Sequence, residues 1–248
     1  MGVIYILWLR EIKRYVRSRV QIVVSLGQPA LYLLALGFGF GPVFAKAGGG
    51  SYLQFMAPGI MSMTILFTST FSGMALLWDR QFGFLKETMV APVPRLTIMV
   101  GRTVGGATVA LFQGLLVFGI SLLAGFRPAH VLVVPTAILV MALIALVFSA
   151  MGTIIGSSLK EMQGFQIIMN FLVMPIFFLS GALYPLRNLP AALTVLTRLD
   201  PLSYGVDALR GVLTGRMEFA LALNILALVV AACVLMVLGA WRFSKIEV

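Results

Sequence analysis

Six stretches of this chain, each about 20 residues or longer, contain no Asp, Glu, Lys or Arg. They run from about Val20 to Phe44, Leu53 to Leu77, Thr103 to Ala124, Val131 to Ser157, Phe165 to Leu183 and Phe219 to Trp241. About 20 apolar residues in a helix cross a hydrocarbon core of roughly 30 Å. In water, the same runs would expose far more contiguous apolar surface than a soluble globule tolerates. Of the 248 residues, 60% are apolar and only 10% charged, where a soluble domain carries about a quarter. The runs are continuous rather than alternating, unlike the strands of a membrane barrel. The expected fold is all-α: a polytopic membrane protein with six transmembrane helices.

The first run resembles a secretory signal in two respects, because basic residues precede it and Ala45-Lys46-Ala47 follows it. Its apolar length of about 25 residues exceeds the about 7–15 of a signal core, so it reads as an uncleaved span. The net charge is +10. Because the basic residues lie between apolar runs, they point to orientation in a bilayer rather than to nucleic acid. With the N-terminus inside, twelve Lys/Arg fall on the cytoplasmic side and six outside, four of those six in one long connection. Both termini are therefore expected in the cytoplasm. The single cysteine, Cys233, lies in an apolar run; it supports neither a disulfide framework nor a zinc site.

Residues 1–19 are expected to form a cytoplasmic interfacial helix ahead of a permease domain over 20–248. At about 100° per residue, Ile4, Tyr5, Trp8, Ile12 and Tyr15 share one face and Arg10, Lys13, Arg14 and Arg17 the opposite one. Such a helix suits the headgroup layer, where membrane lipids attract its basic face. Gly48-Gly49-Gly50 reads as a flexible outer turn.

The cytoplasmic loop 78–102 carries charges first and then Pro92 and Pro94. Proline stops a helix, so a short helix is expected to run to about Val90, with Phe82, Leu85 and Met89 on one side. Apolar and charged groups on a short rigid element beside a membrane suit docking to another protein; a solvated connector is the plainer reading. The short loop 158–164, with Lys160 and Glu161, offers a second contact. The outer connection 184–218 reads as two short re-entrant helices. One starts near Pro190 and places Leu193, Leu196 and Leu199 on a face. The other is capped by Ser203, turns Val206, Leu209 and Leu213 inward and stops at Gly215.

The eight acids all fall in loops or at span ends, which weighs against ion-driven transport with its ionisable groups at mid-membrane. His130 is the only histidine, and a metal site needs several ligands, so no metal site is expected. No nucleophile–base pair stands out. A phosphate-cradling loop ends G-K-[ST], and no lysine here follows a glycine. The chain is not expected to be an enzyme or to hold a cofactor. Energy for uphill transport must come from another subunit.

Four ordered motifs carry a resemblance. They are Tyr52-Leu53-Gln54-Phe55-Met56-Ala57-Pro58-Gly59, Lys86-Glu87-Thr88-Met89-Val90-Ala91-Pro92-Val93-Pro94-Arg95, Phe177-Phe178-Leu179-Ser180-Gly181 with Tyr184-Pro185, and Pro201-Leu202-Ser203-Tyr204 with Asp207-Ala208-Leu209-Arg210. Together with six spans, they resemble the type-2 ABC exporter permease family over nearly the whole chain, nearest its daunorubicin-resistance and nodulation-type members. The second motif is similar to the family's coupling segment, which usually has two acids where this chain has only Glu87.

The resemblance implies two permease copies, a homodimer or a pair with a close relative. They work with two copies of a separate ATP-binding cassette ATPase, which carries ATP and magnesium, in the bacterial cytoplasmic membrane. It implies ATPase coupling through Arg80, Phe82, Phe84, Lys86, Glu87 and Glu161. It also implies a translocation path where the second and fifth spans of both copies face one another. Candidates there are Met61, Thr64, Phe67, Thr68, Phe71, Asn170, Met174, Phe177 and Phe178, although small and hydroxyl residues are equally common in plain helix packing. One of the two adjacent phenylalanines is expected to close an apolar gate, with a bend at Pro175. Gly101-xxx-Gly105 and Gly152-xxx-Gly156 read as close helix contacts. The expected cargo is hydrophobic or amphiphilic, drug-like or lipid, with a lipid-linked saccharide or polysaccharide as the alternative. A membrane interaction protein without transport is the remaining alternative; a channel would need a filter motif or charged pore ring, and neither is visible.

Overall fold

The computed structural model of the protein describes residues 2–46, 51–84, 93–159, 161–186 and 190–245. These form helices and their connections, with no strand among the described residues. Helix α1 (Val3–Arg17) ends at Ser18, whose non-helical backbone turns the chain into α2 (Arg19–Lys46). Helices α3 (Tyr52–Phe71) and α4 (Met74–Gln81) form one broken span, interrupted at Ser72 and Gly73. Next come α5 (Arg95–Leu123) and α6 (Val134–Ser158), the latter with a proline in its first turn. The fifth span is α7 (Met162–Ile168), a π-helical turn over Met169–Val173 and α8 (Met174–Leu179). Two shorter helices, α9 (Ala191–Leu199) and α10 (Pro201–Thr214), precede α11 (Leu221–Ser244).

Six helical stretches among the described residues are long and apolar enough to cross a membrane. They overlap the six expected runs, with end shifts of a few residues in several; two of them change the reading of the cytoplasmic loop. The second span continues to Gln81, and the third begins at Arg95 instead of near Thr103. The loop expected over 78–102 therefore shrinks to 82–94. The cause is Arg102, which looks like a loop charge in the sequence but is buried and paired inside α5.

Helices α3 and α6 form the centre. Met56, Ile60, Met61, Ile65 and Leu66 meet Val140, Met141, Ile144 and Phe148, all almost fully buried. Helix α11 packs along α6, and α10 wedges Leu202, Val206, Leu209 and Leu213 between α3, α6 and α11. Helix α2 stands at the edge; of its described side chains only Pro29 and Leu33 are buried. Val23, Val24, Leu31 and Phe38 on α2 and Val237 on α11 are more than half exposed, as lipid-facing surfaces are.

Lipid tails are as apolar as leucine, so helices in a bilayer associate through close packing and hydrogen bonds instead of hydrophobic expulsion. The chain supplies both where α3–α4, α5 and α6 meet. Gly73, Gly152 and Gly156 bring the backbones of the second and fourth spans into direct contact. Beside them the Ser72 and Ser149 hydroxyls lie 3.3 Å apart, and Ser149 Oγ donates to Thr103 O at 2.8 Å. The hydroxyls of Thr103 and Thr153 are 3.1 Å apart.

A π-helical turn lies directly before Pro175, the residue at which a bend is expected. A proline cannot donate to the helix ladder, and the preceding turn widens to accommodate it. The cap of α10 also differs from expectation. Asp200, not Ser203, fills it, accepting from Leu202 N at 2.9 Å, with Pro201 in the first turn. Aspartate followed by proline is a stronger start signal than the serine two residues inside. Gly215, with φ +74, ends the helix as expected.

Candidate functional site

The end of the bundle near α1 gathers the charged side chains. Helix α1 lies against α5 through Leu7, Glu11 and Tyr15, at i, i+4 and i+8. Gly101 and Gly105 make the approach possible: a Cβ on Gly101 would stand 3.1 Å from Leu7 Cβ, and one on Gly105 2.9 Å from Glu11 Cβ. Trp8 Nε1 donates to Thr108 Oγ1 at 3.0 Å. Tyr15 and Trp8, expected among lipid headgroups, are thus held by protein. Ile4, Tyr5, Ile6 and Val16 form the exposed apolar surface; Ile12 is half-buried, and Lys13, Arg14 and Arg17 are exposed.

Arg10 has a further partner that periodicity does not reveal. Its Nη2 donates to both oxygens of Asp79, at 3.1 and 3.2 Å. The same carboxylate accepts from Arg102 Nη2. One buried acid therefore ties three helices, α1, α4 and α5, through two guanidinium groups. The three residues are scattered along the sequence, and Asp79 reads there only as a loop acid.

Next to this triad, α4 ends in exposed aromatics. Trp78 and Phe82 stack with ring centroids 5.5 Å apart, and these two and Phe84 are about half exposed or more. Arg80 Nη1 donates to Leu159 O at 3.3 Å, joining this surface to the segment after α6. Glu161 stands exposed just beyond, at the start of α7. The structure thus brings Arg80, Phe82, Phe84 and Glu161 to one end of the bundle. Lys86 and Glu87, and the short helix expected to reach Val90, lie outside the described residues.

The candidate path residues divide into two groups. Met61 is fully buried within the chain's own core, and Thr64 is nearly so, its hydroxyl bonded back to Ile60 O. Phe67 meets Phe177 edge-on at 6.1 Å, and Thr68 Oγ1 donates to Gln113 Oε1 at 2.7 Å. Phe177 itself is buried, so it packs on its own second span. Phe71, Asn170, Met174 and Phe178 form the exposed group. Asn170, Met174 and Phe178 recur every four residues along one side of the fifth span, through the π-helical turn.

The far end is pinned by α10. Arg210 Nη2 donates to Gly181 O at 2.8 Å and its Nε to Phe55 O at 3.2 Å, while the guanidinium lies 4.0 Å above the Phe55 ring. Asp207 accepts from the backbone of Glu218 and Phe219 and from Asn224 Nδ2, at 2.8–3.0 Å. The Asp207 and Arg210 motif thus clamps the start of the second span, the end of the fifth and the start of the sixth. Leu196 and Leu199 of α9 remain exposed on the outside.

Burial raises the Asp200 carboxyl from 3.8 to about 7, against the opposing hydrogen bonds of Leu202 and Ser203. Since the folded state holds this proton more tightly than the unfolded state, the stabilisation is largest at acid pH. It falls as pH rises from about 4 through about 7. Asp200→Asn keeps a capping oxygen without the charge. It is expected to raise Tm by at least about 2–4 °C at pH 8, the shift of roughly 1 kcal/mol in a chain of this size, and to change little at pH 4. Thermal unfolding in detergent at both pH values checks this.

Residues 2–214 match the family model described as ABC-2 type transporter. The chain is 31% identical over 206 residues to the inner membrane transport permease YadH of Escherichia coli strain K12, covering 82% of this chain and 80% of that one. It is 29% identical over 192 residues to nodulation protein J of Rhizobium leguminosarum bv. trifolii, covering 77% and 72%. It is also 29% identical over 204 residues to the putative transport permease ycf38 of Cyanophora paradoxa, covering 78% and 68%.

Proposed function

The chain belongs to the ABC-2 type transporter family, and from that premise we propose that it is the permease subunit of an ATP-driven exporter. Two copies of a separate ATP-binding cassette ATPase supply the energy and hold ATP and magnesium. The α1 end, where most Lys/Arg lie, faces the cytoplasm, so both termini are inside and the membrane is the inner one. The cargo is hydrophobic or amphiphilic.

The observation that carries this reading is the surface at the end of α4. Trp78, Phe82 and Phe84 are large, exposed and aromatic, a composition typical of binding hot spots. They sit on the second span, braced to the end of the fourth by Arg80 and to α1 by Asp79. A push on this surface reaches the second and fourth spans and α1 at once. Glu87, beyond the described residues, belongs to the same contact.

A second copy is supported by the fifth span. An asparagine exposed to lipid in a membrane helix is costly, yet Asn170 is exposed together with Met174 and Phe178. A partner copy covering that face gives Asn170 a protein neighbour. It also places Phe178, rather than the buried Phe177, at the gate.

The test is co-purification with a co-expressed ATP-binding cassette ATPase. Phe82→Ala with Phe84→Ala is expected to weaken recovery about tenfold or more and to abolish cargo-stimulated ATP hydrolysis, with the permease still folded. Recovery and hydrolysis equal to the unmodified chain would remove the docking assignment.

A further inference from the structure

Between α1, α2, α3, α4 and α5, on the α1 side, lies a cavity of about 670 Å³. Cavities of roughly 300–1,000 Å³ hold drug-sized ligands. It lies within a single chain and reaches from Arg14 and Trp78 at the α1 end to Met63 and Gln113 about halfway along the span.

Three features define what fits it. Gln113 is 1% exposed; its Oε1 accepts from Thr68, while its Nε2 has no hydrogen-bond partner among the described residues. A buried amide left unpaired costs about 1–3 kcal/mol, and an acceptor on a ligand relieves that cost. Along the cavity, Phe67, Phe71 and Trp78 supply aromatic lining for an apolar body. At the α1 end, Arg14 and Glu11 pair at 2.7 Å, so their charges cancel. Nothing in this lining rewards a buried net charge. Helix α2, which buries few of its side chains, forms one wall through Ser25, Gln28 and Pro29.

We propose that each chain carries its own binding site for one uncharged amphiphile of drug-like size. A hydrogen-bonding oxygen of the amphiphile reaches Gln113, and its apolar body lies against Phe67, Phe71 and Trp78. This site is separate from the face of Asn170, Met174 and Phe178 between copies. That the occupant is cargo rests on the exporter reading; that it binds does not.

The probe is a neutral fatty alcohol carrying a diazirine, photolysed with the full chain in lipid nanodiscs and mapped by peptide mass spectrometry. Saturable labelling is expected on 63–78 and 106–113, competed by the unlabelled alcohol and at least tenfold less well by the corresponding carboxylate. Val109→Trp, which fills the cavity, should remove that labelling and leave lipid-facing labelling of α11 unchanged. Gln113→Leu should weaken competition by about fivefold, the loss of one hydrogen bond of about 1 kcal/mol, and it serves alone if the tryptophan variant does not fold. Labelling spread evenly over exposed helix faces, or indifferent to Gln113→Leu, overturns the proposal. Phe84→Ala alone, at a residue outside the cavity lining, should leave this labelling intact. Labelling retained without any alcohol-stimulated ATP hydrolysis by the unmodified complex would count against the exporter reading and for the site.

Discussion

Asp79→Ala is expected to destabilise the chain by about 3–5 kcal/mol and to free α1 from the bundle. The magnitude follows from which charge is stranded. Arg102 is 7% exposed and loses its carboxylate partner, leaving an uncompensated buried guanidinium. The Arg10 side chain is 41% exposed, so it turns to water at little cost. The three single changes should therefore rank unequally. Arg10→Ala should cost at most about 1 kcal/mol. Arg102→Met should cost less than Asp79→Ala, because Asp79 keeps Arg10. Combining Asp79→Ala with Arg102→Met removes the stranded charge and should recover most of the loss, a coupling that a double-mutant cycle isolates. Thermal midpoints in detergent give the ranking. Trypsin cleavage beside Ser18, between α1 and α2, reports whether α1 has detached. A double variant no more stable than Asp79→Ala alone would mean that the triad is incidental.

The reason this cluster escapes a reading of the sequence is instructive. Each span is legible because apolar composition over about 20 residues is a local property. The start of α10 is local too, but Asp200-Pro201 also reads as the break after α9 and Ser203 as a cap, so the expected start falls late. A tertiary ion pair leaves no such trace. Arg10 looks like one of four basic residues on an amphipathic face, and Arg102 and Asp79 like loop charges. Only folding puts them within hydrogen-bond reach. The same holds for the path candidates. Helical spacing places Thr64, Phe67, Thr68 and Phe71 near one another, but it does not distinguish a surface between copies from a cavity inside one. The answer depends on where α2 stands, and α2 is apolar all round, with no stripe to orient it. Small residues at spacing four are the exception, because close approach demands them. Gly101 and Gly105 receive α1, and Gly152 and Gly156 receive the second span, as their spacing suggests.

That second contact supports the other large effect: Gly152→Ala is expected to cost about 3 kcal/mol, the upper part of the usual range for overpacking. A Cβ on Gly152 would lie 2.9 Å from Thr70 Cα and 3.0 Å from Thr70 C. One on Gly73 would lie 2.9 Å from Gly152 Cα. The obstacle in both cases is backbone, which has no rotamer to yield. The second and fourth spans must separate, and a gap of 0.5–1 Å already forfeits roughly a quarter to a half of each contact's dispersion energy. Separation also stretches the contact between the Ser72 and Ser149 hydroxyls. Gly119→Ala, in the same membrane but with nothing within 4 Å of the new methyl, is expected to be neutral or to stabilise by up to about 1 kcal/mol through helix propensity. Gly152→Ala should thus lower Tm and Gly119→Ala should not. Equal midpoints would show that the spans are free to part at this point. They cannot part without displacing α4, because the break at Ser72 and Gly73 lies at the contact with the fourth span. Asp79 and the exposed rings of Trp78 and Phe82 follow directly beyond that contact.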